Sequence, residues 1–367
     1  MQNQSSPETP TPPPSKMMKR SMWISYVLLA LGFVFIGWLV YRLGFHEILN
    51  DFKTLGWNFF IALLPSIVTY VLFTYSWEEF LKGNGLKTPL RSLFMVKVVG
   101  EAVNIVNPLG WGGGDPVRIY MLKRWVPVSQ ATASVVVDRT LNSIALVPFM
   151  IFGIFLAFIK FSLPPAFKWG FSLSLLFIVG VTFYWYRRQH EGVFQFLIDL
   201  LIKLRIKRNW SEHTLQRVKE IDALISRFYT HNKGGFAVAF LLQFITRLLG
   251  VLEIYLVAYF LQAPIGWVAS YLLASLTVIV NMIFVFIPGS VGVLEGAYAG
   301  VFHLLGQDPT VGTSIQIFRR IRMTLWAALG FYYIYHLDRK TRGALQAVAH
   351  NPIVEGEAEL ETLSGKD

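Results

Sequence analysis

The sequence predicts an all-α polytopic membrane protein, with about six full spans and two re-entrant broken-helix hairpins in an inverted-topology repeat. The chain has 367 residues, of which 54% are hydrophobic and only 15% are charged. Its apolar residues come in runs of about 20, the length that crosses a ~30 Å hydrocarbon core. Two of the apolar regions are interrupted by proline and glycine, and aromatic residues gather at run ends, as in the aromatic belts of membrane proteins.

Both ends of the chain are predicted to be cytoplasmic. Residues 1–20 begin Pro/Ser/Thr-rich and end basic, a composition typical of a disordered tail followed by a positive-inside flank. The run 22–40 follows with no small-residue cleavage site, so we interpret it as an uncleaved first span. The integral membrane domain is predicted over 21–340, with a second cytoplasmic tail at 341–367. This topology predicts a multi-pass protein of the cell inner (cytoplasmic) membrane.

The remaining spans follow from apolar runs and from the basic loops between them. The six spans are predicted at 22–40, 57–77, 130–159, 169–186, 236–260 and 311–337. The two hairpins are predicted at 92–122, entering from the cytoplasm, and 267–306, entering from outside, although 267–287 is long enough to cross alone. The linker 187–235 carries ten Lys/Arg against five Asp/Glu. It is interpreted either as an amphipathic helix on anionic headgroups or as a packed helical hairpin.

The stretch 107–118 lies between apolar arms yet contains two prolines, four glycines, Asp115 and Arg118. Each unpaired backbone N–H or C=O facing lipid costs several kcal/mol, so such a stretch must be wrapped in protein or line a wet cavity. A second break at 288–295 has the same spacing at an offset of 180 residues. The halves, about 57–159 and 236–338, then align four pairs: Pro108 with Pro288, Gly112 with Gly292, Asp115 with Glu295, and Arg139 with Arg319. Broken helices at a repeat interface are typical of transport sites.

The candidate site residues are the polar and helix-breaking positions of these two regions. Asp115/Arg139 and Glu295/Arg319 are interpreted as ion pairs that either line a headgroup path or lock helices together. Arg118, Arg320 and Arg322 are interpreted as bidentate phosphate ligands or as snorkelling side chains. The complete set is Asn104, Asn107, Pro108, Gly114, Asp115, Arg118, Asp138, Arg139, Asn142, Pro288, Gly289, Gly292, Glu295, Arg319 and Arg322.

Several enzyme and cofactor sites are excluded by the sequence. The chain has no Cys, so thiol nucleophiles and Cys-ligated metals are absent. The glycine run lacks the Lys-Ser/Thr of a phosphate loop, and the seven His are scattered with no metal-ligand spacing. No catalytic residue, metal or cofactor is therefore predicted. The net charge of +11 is interpreted as basic loops on anionic lipid, not as a nucleic-acid surface.

At these residues the chain resembles the lysylphosphatidylglycerol synthase/flippase transmembrane domain family, including stand-alone and hopanoid-associated members. The family pattern Asn-x-x-Pro…Gly-Glu-x-x-Arg is met by Asn104/Asn107, Pro108 and 114–118, with Asp115 in place of Glu. The pattern Glu/Asp-Arg-x-x-Asp is met by Asp138 and Arg139 but ends in Asn142. The pattern Pro-Gly-Gly-x-Gly-x-x-Glu is met by 288–295, with Ser in place of the middle Gly.

The resemblance implies a lipid-handling membrane protein without the synthetase domain of full-length members. The first hypothesis is a flippase that moves a lipid headgroup through the polar interface between repeats, and it is not an enzyme. Anionic phospholipid, hopanoid and polyprenyl-linked lipid remain open as substrates, and a homo-oligomer or a lipid-biosynthetic partner is compatible with the sequence. The alternatives are a membrane-embedded transferase, or partner subunit of one, with Asp115 or Glu295 as general base, and a non-transporting scaffold.

Overall fold

A computed structural model of the chain describes residues 45–106, 113–160, 165–203, 211–284, 287 and 290–336. These residues form helices and no strand. The tails and the predicted first span 22–40 lie outside the described residues. In chain order the helices are α1 Phe45–Leu55, α2 Asn58–Gly83, α3 Leu90–Val106, α4 Gly114–Leu122, α5 Val128–Lys160, α6 Pro165–Glu191, α7 Val193–Lys203, α8 Glu212–His231, α9 Lys233–Phe260, α10 Gly266–Ile283, α11 Val293–Leu304 and α12 Pro309–His336.

Five of the described helices are long and apolar enough to cross a membrane: α2, α5, α6, α9 and α10. Four of them coincide with predicted full spans. The fifth, α10, was predicted as one arm of a hairpin, with the alternative that it crosses alone. The predicted last span, α12, has 28 residues but is not among the five, and it carries three arginines, at 319, 320 and 322. The structure therefore gives an all-α membrane protein.

The outer surface of the bundle is apolar, which a helix surrounded by lipid requires. On α6, for example, Leu173, Leu176 and Phe177 are more than half exposed, and the corresponding face of α5 exposes Phe155 and Ile159. Such exposure would be costly in water, where about 25 cal/mol is lost for each Å² of apolar surface left hydrated. Several charged residues are instead buried, among them Lys97, Arg118 and Glu295.

Helices α2 and α9 form an antiparallel pair. Near the end of α2, the Ser76 hydroxyl donates to the Ala239 carbonyl near the start of α9 over 3.1 Å. At the other end, Ala62 of α2 packs in one apolar cluster with Val257 and Ala258 of α9. Residue numbers thus rise in opposite directions along the contact.

Two pairs of shorter helices contact the α2/α9 pair, α3 with α4 through α2 and α10 with α11 through α9. Within the first, α3 and α4 are joined where the Asn104 side chain accepts a hydrogen bond from Gly114 N over 2.8 Å. Within the second, α10 and α11 meet where the Ser290 hydroxyl donates to the Asn281 side chain over 2.8 Å. In both pairs, an asparagine near the end of the first helix holds the start of the segment that returns. The predicted tip residues 107–112 lie outside the described residues.

The basic linker forms α7 and α8, and its apolar face packs on protein. Ile225 and Phe228 of α8 are buried in the same cluster as Trp77 and Phe80 of α2. The Asp222 carboxylate accepts hydrogen bonds from two backbone N–H groups at the start of α7, at 3.1 and 3.0 Å. Of the two interpretations left open by the sequence, this geometry agrees with the packed helical hairpin.

Candidate functional site

A buried triad of ionised side chains lies between α3, α4 and α5. The Lys97 ammonium is 2.5 Å from Asp138 Oδ2, and Arg118 Nη1 lies 3.6 Å from the same oxygen. All three residues are at most 4% exposed. Lys97 also lies over the ring of Trp77, with its Nζ 5.6 Å from the ring centroid. Two cations on one carboxylate in a dry environment leave the triad one positive charge in excess, which the neighbouring groups must offset.

A second, more exposed layer completes the first cluster. Arg118 Nη2 is 2.5 Å from Glu101 Oε1, and Arg118 Nη1 is 3.3 Å from Asp115 Oδ1. Arg139 donates from Nε to both Asp115 oxygens at 3.1 Å and from Nη2 to Oδ1 at 2.8 Å. The side chains of Arg139, Glu101 and Asp115 are 41%, 32% and 24% exposed. These three groups, and not the triad, can exchange partners with a ligand.

Arg118 can occupy its position because helices α3 and α4 are in close contact. A Cβ on Gly114 would meet the carbonyl oxygen of Gly100, and a Cβ on Gly100 would overlap the Arg118 side chain. Glycine at both positions lets α3 and α4 approach until the arginine lies flat across α3. The glycine predicted at 114 therefore has a packing role.

A ladder of side-chain amides runs from the triad to α9. Gln243 donates from Nε2 to Asp138 Oδ1 over 3.2 Å and accepts from Asn142 Nδ2 over 3.1 Å. Asn142 in turn accepts from Arg247 through its side-chain oxygen and, at 3.2 Å, through its backbone carbonyl. The ladder connects the first half of the chain to α9 without a further carboxylate.

The second cluster lies between α9, α10, α11 and α12. Glu295 is fully buried in the first turn of α11, where it accepts from Gly292 N over 2.8 Å. Gly292 has φ +84°, a backbone conformation that favours glycine. The other oxygen of Glu295 pairs with Arg320. The predicted partner was Arg319, so that pairing is corrected by one residue.

Arg319 has different partners from those predicted. Its Nε lies 3.5 Å from Glu253, and its Nη1 donates to the hydroxyls of Tyr298 at 2.9 Å and Thr277 at 3.2 Å. Glu253 also pairs with Arg322. Adjacent positions on a helix are turned by about 100°, so Arg319 and Arg320 must face different neighbours. Arg319, Arg320 and Arg322 are 20–24% exposed, whereas Glu253 is 1% exposed.

The two clusters can bind an anionic group through their partly exposed guanidiniums. A guanidinium presents a planar fork of donors that matches carboxylate or phosphate oxygens, and four such forks are partly exposed here. Within the described residues, no three His, Asp or Glu side chains converge in a group that could hold a metal ion.

The sequence matches a known protein family. Residues 22–330 match the family described as the lysylphosphatidylglycerol synthase TM region. The chain belongs to this family. The match covers every described helix up to most of α12, so both clusters lie inside the lysylphosphatidylglycerol synthase TM region.

Three curated relatives of this TM-region protein are each 22% identical to it. They are named UPF0104 membrane proteins and come from Methanothermobacter thermautotrophicus, Methanocaldococcus jannaschii and Pyrococcus horikoshii. The alignments cover 82%, 83% and 82% of this chain and 91%, 92% and 93% of the relatives. The similarity therefore extends over nearly the whole length of each relative. No solved structure matches the chain.

The structure brings most of the predicted site residues into the two clusters. Asn104, Gly114, Asp115, Arg118, Asp138, Arg139 and Asn142 lie in or beside the first, and Gly292, Glu295, Arg319 and Arg322 in the second. Asn107, Pro108, Pro288 and Gly289 lie outside the described residues. Sequence reasoning passed over Lys97, gave Glu101 little weight, and assigned no role to Gln243, Arg247, Glu253, Thr277 and Tyr298. An ionisable residue inside an apolar run was the available signal for Lys97, Arg247 and Glu253.

Proposed function

We propose that this protein moves a lipid headgroup across the cytoplasmic membrane through a polar path between two inverted repeats, with both chain ends in the cytoplasm. The observation that carries the proposal is a cluster of paired charged side chains in each half of a bundle that contains five helices long and apolar enough to cross a membrane. Intramembrane charges are expensive, at about 2.5–3.5 kcal/mol each on insertion scales, and they usually mark a pathway. Each cluster combines buried ion pairs with guanidiniums that remain partly exposed.

The helix bounds support the repeat. Shifted by the 180-residue offset, α4 falls on α11 to within two residues at each end, and α3, α5 and α2 fall on α10, α12 and α9 to within five. The antiparallel contact of α2 with α9 supports the inversion, because repeats of opposite orientation place equivalent helices antiparallel. The pairs α3/α4 and α10/α11 then correspond to the two hairpins.

At two pairs of equivalent positions both halves carry polar residues, but the charge differs. Lys97 and Arg118 correspond to Thr277 and Tyr298, whose hydroxyls are 2.7 Å apart. The first half therefore carries ions where the second half carries hydroxyls. A headgroup that moved between the clusters would exchange ion pairs for neutral hydrogen bonds and the guanidinium of Arg319. In this proposal each cluster offers the charged headgroup polar partners in place of bare hydrocarbon.

The test is lipid translocation in proteoliposomes that contain the purified full chain and fluorescent anionic phospholipids. The variants are Asp115→Asn, Arg139→Ala and Glu295→Gln, each checked for folding. Asp199→Asn and Arg227→Gln are the matched controls, because both residues are exposed on the linker helices α7 and α8. We expect the site variants to lose about tenfold or more in rate, since a charge-assisted hydrogen bond contributes about 1.5–3 kcal/mol.

If all three site variants translocate lipid at the wild-type rate, a path through the two clusters is contradicted. Absence of translocation by wild type for anionic phospholipid, hopanoid and polyprenyl-linked lipid alike would contradict the transport function itself. That second result would favour the transferase or scaffold alternatives. Controls that lose activity together with the site variants would indicate a general loss of fold.

A further inference from the structure

Among the described residues, seven cations lie in or beside the two clusters, and all but one of them are paired with carboxylates. Six of them lie within salt-bridge distance of Asp or Glu: Lys97, Arg118, Arg139, Arg319, Arg320 and Arg322. Arg247 is different. Both of its hydrogen bonds run from Nη2 to Asn142, which is neutral. Its Nε–H is buried and has no acceptor.

The position of Arg247 makes this absence of a carboxylate costly. Residue 247 is at the middle of α9, a 28-residue helix with a composition suited to spanning a membrane. With a rise of 1.5 Å per residue, either end of α9 is about 20 Å away, too far for the side chain to snorkel to water. A guanidinium keeps its charge in proteins, so it cannot reduce the cost by losing a proton.

The surroundings hold the guanidinium in place without neutralising it. Asn142 fixes Nη2 with two oxygens, and Gln243 fixes Asn142 in turn over 3.1 Å. Asp138 is the carboxylate at the far end of this ladder, and it is already shared by Lys97 and Arg118. A positioned, charged donor with an unused N–H is the arrangement from which proteins build anion sites.

We propose that Arg247, oriented by Asn142, binds the phosphate of a lipid headgroup near the middle of the membrane. The inference deepens the proposed function by naming the residue that would hold the phosphate, and it rests on that function for the claim that the phosphate is in transit. The binding step would then take place on α9, which contacts both clusters. Arg247 of α9 binds Asn142 beside the first cluster, and Glu253 of α9 pairs with Arg322 in the second.

Asn142 supplies a sharp test. Asn142→Asp places a carboxylate against Arg247 Nη2 with no change in side-chain size, and so gives the guanidinium the internal counter-ion that it lacks. A purely structural Arg247 would tolerate this change or gain stability from the new ion pair. An anion-binding Arg247 would lose its ligand, because the new carboxylate competes with phosphate.

The experiment measures ligand-induced thermal stabilisation of the purified full chain in a neutral detergent. The probes are dihexanoylphosphatidylglycerol, inorganic phosphate and dihexanoylglycerol, which lacks phosphate. For the first probe we expect a rise in melting temperature for wild type and for Arg227→Gln, and about tenfold or more weaker binding for Asn142→Asp and Arg247→Gln. Any binding of dihexanoylglycerol should be equally strong whether residue 247 is Arg or Gln.

Binding of dihexanoylphosphatidylglycerol that Asn142→Asp retains at wild-type strength would overturn the site, even if Arg247→Gln fails to fold. Binding of inorganic phosphate alone, lost in both variants, would keep the anion site but overturn the lipid as its source. Translocation in proteoliposomes separates the two proposals. Binding that depends on Arg247 without any translocation would contradict transport, whereas translocation indifferent to both variants would contradict the site.

Discussion

The side chain of Arg118 lies directly against the Cα of Gly100, and its Cγ, Cδ and Nε fill the volume that a Cβ on residue 100 would occupy. This contact lets one arginine cross α3 and reach Glu101, Asp115 and Asp138. The first cluster therefore depends on the absence of a side chain at residue 100 as well as on its charged residues.

Gly100→Ala should displace Arg118 and destabilise the protein by about 1–3 kcal/mol, the usual cost of overpacking. The matched control is Gly250→Ala in α9, where a Cβ meets nothing within 4 Å and helix propensity favours Ala by about 0.5–1 kcal/mol. Chemical denaturation in detergent measures both. Equal effects at the two positions would contradict the packing of Arg118 on Gly100.

Loss of Asp138 should cost more stability than loss of its partner Lys97. Asp138→Asn leaves Lys97 and Arg118 buried with one carboxylate fewer, and an unpaired buried charge costs about 3–5 kcal/mol. In Lys97→Met, the Asp138 carboxylate keeps Arg118 at 3.6 Å and the Gln243 amide at 3.2 Å. Thermal melting of the two variants in the same detergent gives the order, and a larger shift for Lys97→Met would refute it.

The ion partner of Glu295 can be determined with two double-mutant cycles. Glu295→Gln combined with Arg320→Gln should show a coupling energy of roughly 1 kcal/mol or more, because the two side chains are in direct contact. Glu295→Gln combined with Arg319→Gln should be close to additive, since Arg319 contacts Glu253. The opposite pattern would support the pairing first predicted from the 180-residue offset.

The inverted repeat predicts that two equivalent loops lie on opposite sides of the membrane. Lys87 follows α2 and Pro264 follows α9, both are exposed, and the chain has no native cysteine. In right-side-out vesicles, an impermeant thiol reagent should label Pro264→Cys and leave Lys87→Cys unlabelled until the membrane is opened. Labelling of both from one side would contradict the inversion.

Composition and spacing were sufficient for much of the architecture. Apolar runs of membrane length locate α2, α5, α6 and α9, and the breaks near 107–118 and 288–295 separate α3 from α4 and α10 from α11. These features are local, because lipid imposes the same requirement on every segment: backbone hydrogen bonds must be satisfied within it. The same local patterns left the basic linker undecided, since an apolar helix face looks alike whether it covers lipid or the rings of Trp77 and Phe80.

The sequence by itself determined that this is an all-α membrane protein and identified many, but not all, of the charged residues in its two clusters. Only the tertiary structure decided how those charges are paired. Glu295 meets Arg320 and not Arg319, because a one-residue step on α12 turns the side chain by about 100°. Arg247 lacks a carboxylate because α9 packs against α5 at Asn142. Partners on different helices are set by the packing of the whole bundle, and no spacing along the chain encodes that contact.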